Sequence, residues 1–254
     1  MLKNKNLNVE VVHQAVPARP ALPRSWWIAP LILLVLLPGM ELTAIDYNVS
    51  NWFYDKSSHV FPLRETFLMD TVLHYWTKNA VFLLIASIAT LLCLSFFAQE
   101  LRPRRRLLLF LVLAMSLAPL SVAILKELTD RPCPWDLADF GGTAPYTHLF
   151  EHRGPNHAPG RCFPAGHAAT GFALLALFFA AHHERKRIYS DMALAAGLLG
   201  GVLLGIGRVA QGAHFLSHVL WSGLVCWMVM VGIYAAVLLP ARRITGPLST
   251  PGGS

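Results

Sequence analysis

Residues 192–239 read MALAAGLLGGVLLGIGRVAQGAHFLSHVLWSGLVCWMVMVGIYAAVLL. Two apolar runs, 192–208 and 214–239, flank the short link Val209-Ala-Gln-Gly-Ala213. A bilayer-crossing helix needs about 20 mostly apolar residues. The first run is short but almost purely apolar, and the second is long enough to begin at the membrane interface. Gly197, Gly201 and Gly205 recur at four-residue spacing, a pattern that lets helices approach closely. The polar residues are confined to the facing ends. Arg208 closes the first run, and His214 and His218 open the second. A charge at the end of an apolar span is costly and is usually retained for a function.

The rest of the chain has the same character. It has 254 residues, 55% hydrophobic and 14% charged, with a mean hydropathy of +0.49, a profile of integral membrane proteins. Four further spans are expected at 26–45, 79–98, 107–126 and 164–183. The expected fold class is therefore an all-α polytopic membrane protein, a bundle of six transmembrane helices. It divides into a tail over 1–24, one domain over 25–243 and a tail over 244–254. Residues 46–78 mix Trp52, Phe53, Tyr54, Tyr75 and Trp76 with charges, the composition of a helix lying on the headgroups. The long loop 127–163 is rich in Gly, Pro and His, and long ordered loops are often functional. Leu42-Thr43-Ala44 is a poor signal-peptidase site, so the first span is expected to be an uncleaved anchor.

Basic residues set the orientation. With six spans, 13 of the 21 Lys and Arg fall on the side of the termini and 8 on the other, among them Lys126, Arg131 and Arg208. Both termini are then cytoplasmic, and the polar clusters face the outer side of what is expected to be a bacterial inner membrane. The net charge of +7 is accounted for by this topology and not by nucleic acid.

Three clusters stand at span mouths: Lys126-Glu-Leu-Thr-Asp-Arg131-Pro132, Pro164-Ala165-Gly166-His167, and Arg208 with His214 and His218. Lys126 alone reads as a snorkelling lysine. Gly166 follows a proline suited to a first helical turn, where free N–H groups favour an anion. His167 would stand beside that anion, or simply be hydrogen-bonded at the interface. His214 and His218 share a helical face, which also allows zinc ligation; His148 and His152 repeat the spacing. No carboxylate or Cys is clearly placed to complete a metal site, so no metal and no cofactor are expected. Cys133 and Cys162 bracket the outer loop. A disulfide between them would close it, and sequence distance does not decide the matter. Cys93 and Cys226 lie in spans and read as apolar filler.

In this order and at these span positions, the clusters resemble the type 2 phosphatidic acid phosphatase family over roughly residues 79–239. The family pattern is Lys, six residues, Arg-Pro; then Pro-Ser-Gly-His; then Ser-Arg, five residues, His, three residues, Asp. The resemblance implies a membrane phosphatase that hydrolyses a lipid phosphate or pyrophosphate at the outer face. Lys126, Arg131, Arg208 and the Gly166 N–H would hold phosphate oxygens. His214 would form a phosphohistidine and His167 would protonate the leaving group. A lipid-to-lipid phosphotransferase, or a weakened protein that only binds headgroups, would use the same site. The chain departs from the pattern in four places: four residues separate Lys126 from Arg131, Ala165 replaces Ser, Gly207 precedes Arg208, and His218 replaces the Asp that orients the nucleophile. A neutral His218 accepting a hydrogen bond from the His214 ring would fill that last role, as would a carboxylate such as Asp130 or Asp136.

Overall fold

A computed structural model of the chain describes residues 22–148, 151, 153–154 and 159–239. The expected tails and His152 fall wholly or mostly outside these residues. Among the described residues the architecture is helical, with three isolated bridges and no strand. The main helices are α1 (Ser25–Glu41), α2 (Ile45–Asn51), α3 (Thr77–Leu94), α4 (Arg105–Leu128), α5 (Gly166–Phe172), α6 (Leu175–His183), α7 (Arg187–Ala210) and α8 (Leu216–Val237). Four of them are long and apolar enough to cross a membrane, and α1 with α2, bent by 74° at residues 42–44, makes a fifth candidate span.

Two expectations change in detail. The span expected at 164–183 is broken into α5 and α6, which meet at a turn where Leu174 N–H donates to the Gly171 carbonyl. The segment 46–78 is not one interfacial helix. It begins with α2, passes through turns, and ends in a π-helical stretch (Leu68–Trp76) that runs directly into α3. Its Trp52, Phe67, Tyr75 and Trp76 are exposed, a composition suited to a membrane interface.

The core lies where α4, α5, α6 and α8 meet, around Phe110, Met115, Val122, Ala169, Ala176, Phe179 and Met230, all almost fully buried. By contrast, α1 and α3 turn Leu31, Val35, Phe82 and Leu83 outward, as helices facing hydrocarbon do. The glycine stripe of α7 explains how α5 and α6 fit beside it. A Cβ on Gly201 would stand 2.1 Å from the Phe172 ring, one on Gly197 2.7 Å from Leu175, and one on Gly205 2.3 Å from Val219 of α8. Close approach replaces the hydrophobic drive that lipid does not supply.

Polar residues gather at one end. Lys126 is in the last turn of α4, Gly166 and His167 open α5, Arg208 is in the last turn of α7, and His218 is in the first turn of α8. We expect Gly201→Ala to lower the thermal midpoint in detergent, an overpacking penalty of about 1–3 kcal/mol. Gly39→Ala in α1, where nothing lies within 4 Å of the added Cβ, should leave it unchanged or raise it.

Candidate active site

The mouth of the bundle is assembled by backbone hydrogen bonds between segments distant in sequence. Cys162 N–H donates to the Arg131 carbonyl at 2.9 Å, joining the first cluster to the second. Ala165 N–H donates to the His218 carbonyl at 3.2 Å, joining the second to the third, and Trp135 N–H donates to the Gly212 carbonyl at 2.9 Å, joining the third to the first. The Ser222 hydroxyl faces both the Ala165 and the His218 carbonyls, at 3.0 and 2.9 Å, and locks the entry of α5 onto α8. A disulfide between Cys133 and Cys162 closes the outer loop, with Cα atoms 5.0 Å apart.

His214 owes its position to the way α7 stops. Gly212 adopts a left-handed conformation (φ 72°), Gly212 N–H donates to Val209 and Ala213 N–H donates to Arg208. This pairing is the Schellman arrangement, which turns the chain sharply after a helix and favours glycine. His214 then stands in the link between α7 and α8, 2% exposed. Burial holds its pKa well below the ordinary histidine value, and the charges of His218, Lys126, Arg208 and His167 push it the same way. The charges that bear on this ring thus come from all three clusters.

The next layer contains residues that carried no signal in the sequence. Arg208 donates to the Gln211 side-chain oxygen at 2.8 Å, and Gln211 in turn donates to the Arg64 carbonyl at 2.9 Å. The Arg64 guanidinium lies 4.4 Å from the centre of the Trp135 ring, and that of Arg208 lies 5.6 Å from it. A second arginine from the segment before α3 thus joins the electropositive rim. Asp46, on α2, is 5% exposed and accepts the Ser217 N–H at 2.8 Å, capping α8 from 171 residues away.

Arg131 is held by the outer loop. Its guanidinium donates to the Thr147 hydroxyl at 3.1 Å and to the Glu151 carbonyl, and it lines a small cleft with Glu41, Asp46, Tyr146 and His218. Gly166 is approachable, since nothing lies within 4 Å of where its Cβ would be.

His214 has His218 and Cys162 as neighbours. Its ring centre lies 5.9 Å from that of His218, and its Nδ1 faces the Cys162 sulfur at 3.5 Å. The buried Nδ1 of His218 has no hydrogen-bond partner. The other expected acids are engaged elsewhere: Asp130 pairs with Arg153 at 3.0 Å, and Asp136 accepts the Cys133 N–H at 3.2 Å. Cys162, His214 and His218 bring donor atoms within 4.8 Å of one another, a spacing compatible with a metal. In the disulfide, however, the Cys162 sulfur has no thiolate to offer, which leaves two imidazoles where structural zinc takes four ligands. For the same reason its 2.7 Å approach to the Ala213 carbonyl is a contact without a proton and not a hydrogen bond.

A sequence model of the PAP2 superfamily matches residues 107–240, just over half of the chain. The chain belongs to this superfamily. It is 26% identical over 198 residues to the lipid A 4'-phosphatase of Francisella tularensis subsp. novicida (strain U112), a match covering 75% of this chain and 85% of the relative. Its fold is similar to that of the transmembrane PAP2-type phosphatidylglycerolphosphate phosphatase of Bacillus subtilis, with a TM-score of 0.50 and 20% identity, covering 85% of this chain and 98% of the other. The matched segment contains all three clusters, while Asp46 and Arg64 precede it.

The disulfide closes a loop of about 30 residues, for which chain entropy gives about 3–4 kcal/mol. A Cys133→Ser, Cys162→Ser double variant should therefore melt earlier, and the loop 134–161 should be cut faster by protease, as seen by gel after limited digestion. Unchanged melting and cutting would show that the loop is held by its other contacts alone.

Proposed function

We propose that the protein is a membrane phosphatase that hydrolyses a lipid phosphate or pyrophosphate through a phosphohistidine on His214, without a metal. The observation that carries this reading is a fully buried imidazole at the end of a bundle of apolar helices where Lys126, His167 and Arg208 also stand at helix ends. The superfamily membership and the two phosphatase relatives support it.

The chemistry follows from the residues. Phosphoryl transfer spreads charge over three equatorial oxygens, so catalysis depends chiefly on positioning and positive charge. Lys126 and Arg208 supply that charge, with Arg208 aimed by Gln211. The Gly166 N–H takes another oxygen. Arg131 joins them when a phosphate oxygen exchanges for the Thr147 and Glu151 oxygens it now holds. A neutral His214 attacks phosphorus as the bond to the lipid oxygen breaks, and His167 gives that oxygen its proton. Water then attacks the phosphohistidine, His167 takes the proton from water, and phosphate leaves with His214 restored. His218 and the Cys162 sulfur hold the attacking ring in place; His218 is a positioning residue. The lipid tail stays in the bilayer beside α4 and α8, and the site faces the periplasmic side of a bacterial inner membrane, as the distribution of basic residues supports.

The test is phosphate release from a lipid phosphate by detergent-solubilised protein, with and without chelator. Release that resists chelation and falls by three or more orders of magnitude in His214→Ala, with the fold intact, is the expected result. Loss of release on chelation would contradict the metal-free mechanism. Phosphate recovered on a second lipid in place of free phosphate would make the enzyme a phosphotransferase.

The lowered pKa of His214 has a definite sign. The folded protein keeps the ring neutral while the unfolded chain binds a proton below about pH 6.5. Its contribution to stability is complete above that value and is lost progressively as pH falls from there toward the lower value of the folded state. The nucleophile is also available in mild acid. The acid limb of kcat/KM due to His214 should lie below pH 6.5 in a pH–rate profile, and a limb at or above 6.5 would contradict the buried placement.

A further inference from the structure

The face opposite the candidate active site has a feature that hydrolysis does not use. Between α1, α6, α7 and α8 lies a cleft of about 950 Å³. Its walls are apolar, with Leu33 on α1, Leu198 and Val202 on α7, and Leu220 and Leu224 on α8. Its floor is firm. Trp26 is buried against Phe178, Phe179 and Tyr234, with its carbonyl accepting the Trp227 indole N–H at 2.9 Å.

One end of the cleft has a different chemistry. Where α6 turns into α7, the lining becomes Arg185, Lys186 and Arg187, three consecutive exposed cations, with Asp191 as the acid among them. Three positive charges against one negative leave the rim at +2. The turn is ordered: Arg185 takes a left-handed conformation (φ 57°), and Lys186 N–H donates to the Ala181 carbonyl at 2.9 Å. α7 runs 24 residues from this rim to the Arg208 end, a rise of roughly 36 Å. The rim is therefore at the other membrane surface.

An apolar slot open to hydrocarbon and ending in cations at headgroup depth complements one ligand chemistry. A soluble anion would satisfy the rim and leave the walls bare, and a zwitterionic lipid would fill the walls and leave the rim with excess charge. Basic pockets between membrane helices recognise anionic headgroups. We propose that this cleft binds an anionic phospholipid from the leaflet opposite the candidate active site, with its acyl chains between α1 and α7 and its phosphate on Arg185, Lys186 and Arg187. The bound lipid joins α1, which meets α6 through Trp26 in its first turn, to the long helix that carries Arg208. This proposal does not rest on the catalytic reading.

The experiment is thermal melting of the full chain in a neutral detergent with added phosphatidylglycerol or phosphatidylcholine. At a hundredfold excess over Kd, phosphatidylglycerol should raise the midpoint by about 5–10 °C, and phosphatidylcholine should do much less. The Arg185→Gln, Lys186→Gln, Arg187→Gln triple variant should lose that shift without a change in its lipid-free midpoint. Leu198→Trp should lose it by filling the slot with the cations intact. Arg208→Gln should keep it, which separates this lipid from one held at the candidate active site. Equal shifts from both lipids, a shift retained by the triple variant, or the same shift from soluble glycerol phosphate would overturn the proposal. So would a shift that follows protein concentration and not lipid, since a second copy would then fill the cleft. A phosphatidylglycerol shift gained only on deletion of residues 1–21 would place that tail there and overturn it as well.

Discussion

Backbone groups at the mouth of a membrane bundle have nowhere inexpensive to go, because hydrocarbon offers them no partner. In this protein they pair with one another across the three clusters. The Arg131 carbonyl takes the Cys162 N–H, the His218 carbonyl takes the Ala165 N–H, and the Gly212 carbonyl takes the Trp135 N–H. Each bond satisfies a buried polar group and also brings two segments carrying polar side chains into register. The site and the closure of the bundle are thus one problem with one solution. A slip in any of these pairings would leave an unsatisfied backbone group at a cost of about 1–3 kcal/mol, in addition to displacing a functional side chain.

The helices below make that pairing possible. α5 begins at the mouth and sits against α4, α7 and α8, and its depth is fixed by glycine contacts. Gly171 of α5 abuts the backbone of Gly200, so closely that a Cβ there would stand 2.5 Å from the Gly200 carbonyl carbon. Were α7 held further away by side chains, Arg208 would move away from α5 and the link 211–215 would have to stretch. The small residues of α7 act on the candidate site through geometry alone, without approaching the reacting atoms.

Much of this was legible in the sequence. Apolar runs of span length located most of the helices, the four-residue glycine spacing marked the helix face that packs closely, and Lys126, His167, Arg208 and His214 were readable because each sits where an apolar run ends. What was not legible depends on contacts between remote segments. Nothing near Asp46 marks it as the cap of α8, and nothing near Arg64 marks it as a neighbour of Trp135. The break between α5 and α6 also has no proline to announce it. The partners of Arg131 were not legible for a similar reason, since Thr147 and Glu151 come from a loop whose path spacing does not fix.

The replacement of the expected Asp by His218 removes a negative charge from the first turn of α8, but the structure does not leave that turn without a carboxylate. Asp46 arrives from α2, caps Ser217, and shares the small cleft with His218 and Arg131. It cannot orient His214 as a carboxylate at position 218 would, because its bond goes to the backbone. It can favour positive charge in the region and hold the first turn of α8, and therefore the His218 backbone to which Ala165 is bonded. The His214 Nδ1 faces the Cys162 sulfur, which is fixed by a disulfide that also ties the first two clusters together. The carboxylate near the first turn of α8 and the atom facing the His214 ring, which a single aspartate at position 218 would combine, thus come from a distant helix and from a cross-link.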